Sequence, residues 1–446
     1  METTSGVISP IQEAIAILGS LPPADSEERN IDRLHLLEKA KRMISAEQAK
    51  STNAFVEQRE ADEMADGIPA SKRLGGTEGE VGLARGESPY MGAALMHTAT
   101  ALCTVLPFTL TALAEGRVSE YHTRIVAEQT NHLSDAHRRA IDGAIAHRLG
   151  KASSSQLRRL IEGHAYRLDR KAAEQRAAAN CKDRRVYMDP AAEGTVYVTA
   201  ELPAHQGHAV MQCLEQRTRK RLTEAAAAAL NDRDAIPQTR MQAMADIFVE
   251  TLTGQTTPNG ITAEVVVVMH DTTLFDEDDL PAWIPGHGAL PAGMVKRWLA
   301  DPAAKTFLRR MYTRPTNGQL VALESRRRRF PDGLIKMLKL RDDICATPWC
   351  NSPIEDADHR EPWAKGGSTS WANATGLCKR CNQRKENRRW SYRGTPDELM
   401  VTTPTGHSYI VGTRPPLADI KLWGSDPPFS GPVDVARLAQ PVILAA

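Results

Sequence analysis

Apolar residues recur at helical spacing in residues 11–58, where Ile31, Leu34 and Leu37 stand three apart with charged residues between them. This pattern predicts one or two amphipathic helices. Residues 61–89 are Gly-rich, polar and without period, and are expected to form a loop or linker. Helical patterns resume over 90–115, 119–148, 153–182 and 204–232, with Gly116, Gly150 and Pro203 as punctuation. Two β signals interrupt them. Residues 185–202 read as a hairpin turning near Glu193-Gly194, and 262–269 hold the buried-strand run Val265-Val266-Val267-Val268. A second alternating stretch, 306–330, centres on Thr316-Asn317-Gly318 and is expected to be a hairpin. Residues 414–446 are Pro-rich with little periodicity, and no repeat is present.

These signals make the chain α+β and mostly helical. The predicted segments are N-terminal helices (1–60), a linker or loop (61–89), and a helical domain with one hairpin and one buried strand (90–275). A connecting segment with a hairpin (276–322), a small module (323–400) and a largely disordered extension (401–446) follow.

At 446 residues, 41% hydrophobic and 25% charged, the chain is long enough for two cored units. Its formal charge is only +1 but is unevenly placed: residues 321–390 hold 15 Lys and Arg against 9 Asp and Glu. A basic end favours a polyanionic partner. The apolar stretch 14–21 has no basic residue before it, the first being Arg29, so it does not resemble a secretory signal and a cytoplasmic location is expected. Residues 91–114 lack charge but contain five threonines, His97 and Pro107, and have no basic flanks; no membrane span is expected there.

Four of the seven cysteines fall between 345 and 381. Cys345 and Cys350 form C-x4-C, and Cys378 and Cys381 form C-x2-C after 27 residues, a spacing that suits a tetrahedral structural zinc. A redox pair at Cys378-Lys379-Arg380-Cys381 is disfavoured because no thioredoxin-like βαβ pattern surrounds it. Cys103, Cys181 and Cys213 read as ordinary buried thiols. Zinc held by four thiolates has no open position, so any chemistry must come from other side chains. Asp358-His359, Asn373 and Asn382 are the candidates: a base, oxygen ligands for a hard cation and a positioning amide suit phosphodiester hydrolysis.

Over about fifty residues from Arg341 to Trp390, the cysteine pairs, Asp358-His359, Gly366-Gly367, Asn373 and Leu377-Cys378-Lys379-Arg380-Cys381-Asn382 resemble the HNH endonuclease family. The resemblance implies a ββα-metal fold cutting DNA. It makes His359 the general base and Asn373 the residue orienting it, and it gives Asp358 and Asn382 one catalytic divalent cation, magnesium or manganese. Many members carry His at position 382 and at position 381, and Gly at 349. This chain is therefore a His-Asn-Asn variant with an all-thiolate site and Trp349 in place of Gly. Arg341, Lys379, Arg380, Arg384, Lys385 and Arg388 are the expected DNA contacts, supported by Arg326 to Arg329, Lys336, Lys339 and Arg389. No small-molecule cofactor is expected. The alternative reading is a non-catalytic, zinc-stabilised DNA-binding protein of a mobile element or regulator.

The N-terminal part resembles, over roughly 25–270, a helical domain of unknown function commonly fused ahead of HNH modules in bacterial proteins. Gly116-Arg117-Val118-Ser119-Glu120-Tyr121-His122 and Arg240-Met241-Gln242-Ala243-Met244-Ala245-Asp246 carry this likeness, which implies no activity.

Overall fold

The structure, a computed structural model, describes residues 5–191, 194–229, 238–254, 266–274, 279–300, 307–310, 324–325, 328–387, 389–395, 398–412 and 441–445. Helices α1 (Ser5–Gly19), α2 (Glu27–Ala65), α3 (Thr77–Arg85), α4 (Pro89–Thr104), α5 (Pro107–Ala114), α6 (Glu120–Thr130), α7 (Asp135–Ile145), α8 (Ser154–Leu168) and α9 (Arg170–Lys182) lead into strands β1 (Arg185–Pro190) and β2 (Val196–Glu201). Helices α10 (Ala204–Ala229) and α11 (Arg240–Thr253) follow, then a strand-rich portion. Contacts divide the chain into Met1–Leu74 with Ala94–Ala173, and Gly75–Ala93 with Glu174–Ala446.

In the first unit, α2 starts at Ser26, whose hydroxyl accepts from Arg29 N, with Glu27 and Glu28 favourably placed at the positive end of the helix dipole. The uncharged run 91–114 breaks at Val105-Leu106 into α4 and α5, which are bent by 106°. Pro107 begins α5, where its missing N–H costs nothing. Asp142, fully buried on α7, takes over the capping: it accepts from Phe108 N at 2.7 Å, Thr109 N at 3.1 Å and Thr109 Oγ1 at 2.5 Å. Leu102, Val105, Leu106 and Leu113 then pack with Ile125, Ile141 and Ile161 in one core. Among the described residues no single helix is long and apolar enough to cross a membrane.

The second unit contains β3 (Val266–His270), a short helix α12 (Asp271–Leu274), β4 (Ala282–Ile284), β5 (Gly288–Leu290), α13 (Ala292–Leu299), β6 (Phe307–Arg310) and β7 (Glu324–Ser325). Next come α14 (Asp332–Asp342), β8 (Asp356–His359), β9 (Thr369–Ser370), β10 (Ala374–Leu377) and α15 (Lys379–Lys385), and finally β11 (Ser391–Gly394), β12 (Glu398–Thr402), β13 (Ser408–Gly412) and β14 (Pro441–Ala445). One sheet has the order β5-β4-β3-β14-β6 and another β11-β12-β13. Strands β8 and β10 pair antiparallel, His359 opposite Ala374 and Asp358 opposite Thr375, and α15 follows at once: the ββα unit expected.

Several local expectations change. The stretch 61–89 is not a continuous loop, since α2 runs to Ala65 and α3 occupies Thr77–Arg85. Gly79 within it is there for contact, since a Cβ would lie 2.5 Å from Arg384 Nη1, and beyond it a Cβ on Gly92 of α4 would lie 2.1 Å from the Glu78 carbonyl. Strands β6 and β7 do not pair with each other as a hairpin; β6 pairs with β14 and β7 with β9, partners distant in sequence. Thr316-Asn317-Gly318, Glu193 and 262–265 lie outside the described residues. The extension expected to be disordered supplies β13 and β14. Cys181 and Cys213 are exposed on α9 and α10, not buried.

Candidate active site and metal centre

Two segments bring the cysteines together. Cys345 and Cys350 sit on the loop after α14, closed by Cys345 N to Ser352 O at 2.9 Å and Cys350 N to Thr347 O at 3.0 Å. Cys378 follows β10 and caps α15, its sulfur accepting from Cys381 N. All four sulfurs are buried and lie within 4.8 Å of one another, with Cys350 Sγ 3.8 Å from Cys378 Sγ and 3.7 Å from Cys381 Sγ. A tetrahedral zinc at about 2.3 Å from each thiolate requires sulfurs about 3.8 Å apart, so the cluster fits that ion. The thiols cannot ionise independently: hydrogen bonding among the sulfurs lowers Cys350 and Cys378 and raises Cys345 and Cys381.

Arg384 supports the same reading. Its side chain is buried, Nη2 points at Cys381 Sγ from 3.6 Å, and the guanidinium stacks over Trp390 at 5.4 Å. Its Nε and Nη1 are buried without a hydrogen-bond partner among the described residues. Burial opposes its charge, but Tyr392, Cys381 and Glu78 outweigh that and hold its pKa above the ordinary value. A buried cation beside sulfur is favoured when the sulfur is anionic, as a metal-bound thiolate is. Trp349, at the family's Gly position, takes φ +57° and rests edge-on against Tyr409 at 5.8 Å, a contact that offsets the left-handed strain.

His359 ends β8, 7% exposed, with Phe330 at 4.5 Å and Trp363 at 5.9 Å between ring centres. Its Nε2 lies 2.9 Å from Thr369 Oγ1, and that hydroxyl donates to Arg328 O at 3.3 Å. A hydroxyl turned toward Arg328 O favours the tautomer in which Nε2 donates to Thr369 and Nδ1 keeps its lone pair. Nδ1 has no hydrogen-bond partner among the described residues. Burial is the main influence on the imidazole; Asp358 opposes it, Lys385 and Arg328 reinforce it, and the net pKa lies below the ordinary value.

Asp358 points to the opposite face of β8, as alternation requires, together with Asp356. Lys385 Nζ donates to Asp358 Oδ2 at 2.5 Å and also to the His359 carbonyl, and Asn382 Nδ2 donates to Asp356 Oδ2 at 3.0 Å. Residues three apart on α15 thus meet residues two apart on β8. Sequence reasoning overlooked Asp356, although Asp-x-Asp on a strand signals two carboxylates on one face.

Asn373 makes no hydrogen bond to His359. Its Oδ1 accepts from Glu361 N at 2.8 Å, while Nδ2 donates to Glu361 O at 3.0 Å and Ser368 O at 2.9 Å. It staples the loop that delivers Thr369, so any effect on His359 is indirect, and Thr369, unnoticed in the sequence, is the direct contact.

Three of the expected DNA contacts have buried side chains. Arg341 is 1% exposed, donating to Trp371 O at 3.1 Å and Ala374 O at 2.8 Å and paired with Asp342, which ties α14 to β10. Arg384 serves the sulfurs, and Lys385 is 6% exposed in its pair with Asp358. Lys379 and Arg380 are exposed, as are Arg328, Arg329, Lys336, Lys339 and Arg389. Arg326, Arg327 and Arg388 lie outside the described residues.

Comparison with known proteins finds no match among curated proteins or solved structures. Two family models match. The HNH endonuclease model covers residues 345–388, which gives this module a nuclease-family function. The model of the domain of unknown function DUF222 covers residues 32–342, most of the chain. The chain thus belongs to the DUF222 family and carries an HNH endonuclease domain immediately behind the DUF222 region.

Proposed function

We propose that the protein is a metal-dependent endonuclease hydrolysing phosphodiester bonds of DNA, with His359 as general base and Asp358 and Asn382 holding one divalent cation, magnesium or manganese. The observation that carries this is the placement of His359: buried at the end of β8, its Nε2 2.9 Å from Thr369 Oγ1, in surroundings that disfavour the charged ring and leave it able to take a proton from attacking water. The donor set fits a hard cation, since Asp358, Asp356 and the Asn382 amide offer only oxygens, and Asp358 already attracts a lysine ammonium. When bound, the cation supplies charge neutralisation at the phosphate and the leaving oxygen. The zinc thiolates hold β10 to α15 and so set Asn382 opposite β8. Lys379 and Arg380 remain as exposed cations for phosphate contacts.

Supercoiled plasmid incubated with purified protein under magnesium, manganese and EDTA tests the reading. Nicked or linear product that requires the cation and disappears in His359→Ala is the expected result. DNA that shifts in a gel yet stays covalently intact under every cation would mean a binding protein instead.

A further inference from the structure

The Gly116–His122 segment has no part in the nuclease chemistry, yet it builds a cavity. In the first unit a space of about 120 Å³ is lined by Arg42, Arg117, Ser119, His122 and Arg148, and no acidic side chain lines it among the described residues. Two left-handed glycines shape it. Gly116 (φ +73°) lets the turn before α6 approach α2, and Gly150 (φ +82°) would place a Cβ 2.7 Å from the Arg117 carbonyl. Arg42 reaches over from α2, donating to Gly116 O at 3.2 Å.

The polar groups are held in place. His122 is pinned between two hydroxyls, Nδ1 2.8 Å from Ser119 Oγ and Nε2 3.3 Å from Ser154 Oγ, and burial followed by Arg42 lowers its pKa. Two cations are partly balanced outside the cavity: Arg42 pairs with Glu38 at 3.0 Å and Arg117 with Glu115 at 2.5 Å. Arg148 is exposed and its side chain makes no ion pair or hydrogen bond among the described residues. One cation is therefore left over. The space is large enough to admit a tetrahedral oxyanion.

We propose that this cavity binds a phosphate group, Arg42, Arg117 and Arg148 supplying charge and the Ser119 hydroxyl, oriented by His122, a hydrogen bond. Arginine forks match phosphate oxygens. The phosphate comes either from a free mononucleotide or from the end of a DNA strand, chemistry common to both.

The test is calorimetric titration of inorganic phosphate into the full-length, zinc-loaded protein at constant ionic strength, with divalent cations omitted. Saturable one-to-one binding is expected, weakened about tenfold or more in Arg148→Ala, the loss typical of one charge-assisted contact. Arg148→Glu should abolish it, and because Arg148 is exposed the phosphate-free unfolding midpoint of both variants should match wild type. Absence of saturable binding, or equal binding by wild type and both variants, overturns the proposal. Adenosine monophosphate, a 5′-phosphorylated oligonucleotide and the same oligonucleotide without phosphate then identify the source. An Arg148-dependent preference for the phosphorylated over the bare oligonucleotide assigns the DNA end, and tighter binding of the mononucleotide assigns the free ligand.

Discussion

Lys385 Nζ and Asp358 Oδ2 lie 2.5 Å apart, with the lysine side chain 6% and the aspartate 22% exposed. The helix lysine is thus spent inside the fold, holding α15 against β8. Lys385→Met should lower stability by about 1–3 kcal/mol, a range that allows for partial solvent screening. It should leave the salt dependence of DNA binding unchanged, whereas Lys379→Ala should reduce the slope of log K against log salt by about 1. Binding isotherms at several salt concentrations read both.

His359 is held by Thr369, whose Oγ1 lies 2.9 Å from Nε2. Loss of the base in His359→Ala should reduce cleavage by roughly 10²–10⁴-fold. Thr369→Val should reduce it by roughly tenfold or more through the lost hydrogen bond. Zinc content, read by mass spectrometry, should stay at the wild-type level in both.

The zinc staple is expected to be stability itself for the module. Structural zinc contributes on the order of 10 kcal/mol. Cys378→Ala should abolish stoichiometric zinc and expose Trp390 and Tyr392, which pack on the cysteines, giving a red-shifted tryptophan emission. An unchanged spectrum after zinc loss would contradict this.

Glycines of α3 and α4 should resist substitution. Gly92→Ala would drive a Cβ to 2.1 Å from a backbone oxygen that cannot swing away, and about 3 kcal/mol of destabilisation is expected, the upper end for overpacking. Gly163→Ala on α8, where nothing lies within 4 Å, should instead stabilise by about 0.5–1 kcal/mol. Chemical denaturation of the two variants gives the contrast.

Asp142 caps α5 from inside the core. Asp142→Ala should cost about 2–4 kcal/mol, because Phe108 N and Thr109 N would stay buried without an acceptor. Calorimetric unfolding of the variant measures it.

Much of the HNH module was legible in the sequence because its chemistry is carried by local spacing. C-x4-C and C-x2-C place sulfurs for a tetrahedron, Asp358-His359 ends a short strand, and Leu377-Cys378 marks the strand-to-helix junction. The helical pattern of the first unit was legible for the same reason, since an amphipathic repeat is visible within a few turns. Arginine roles were not legible. Arg341, Arg384 and Lys385 look like any other cation in a basic run, and only burial tells a phosphate contact from a structural one.

The sequence by itself determined the residue types and their spacing: four thiolates for one metal, a histidine beside a carboxylate, and helices punctuated by glycine. Only the tertiary structure decided which atoms meet. Thr369 reaches His359 because a loop stapled by Asn373 returns it, α3 covers Arg384 because Gly79 has no side chain, and Arg42 joins Arg148 because two left-handed turns close a cavity. Such meetings join residues up to hundreds of positions apart, and they are fixed by packing and by the cost of leaving a buried charge or N–H unpaired, neither of which a local pattern records.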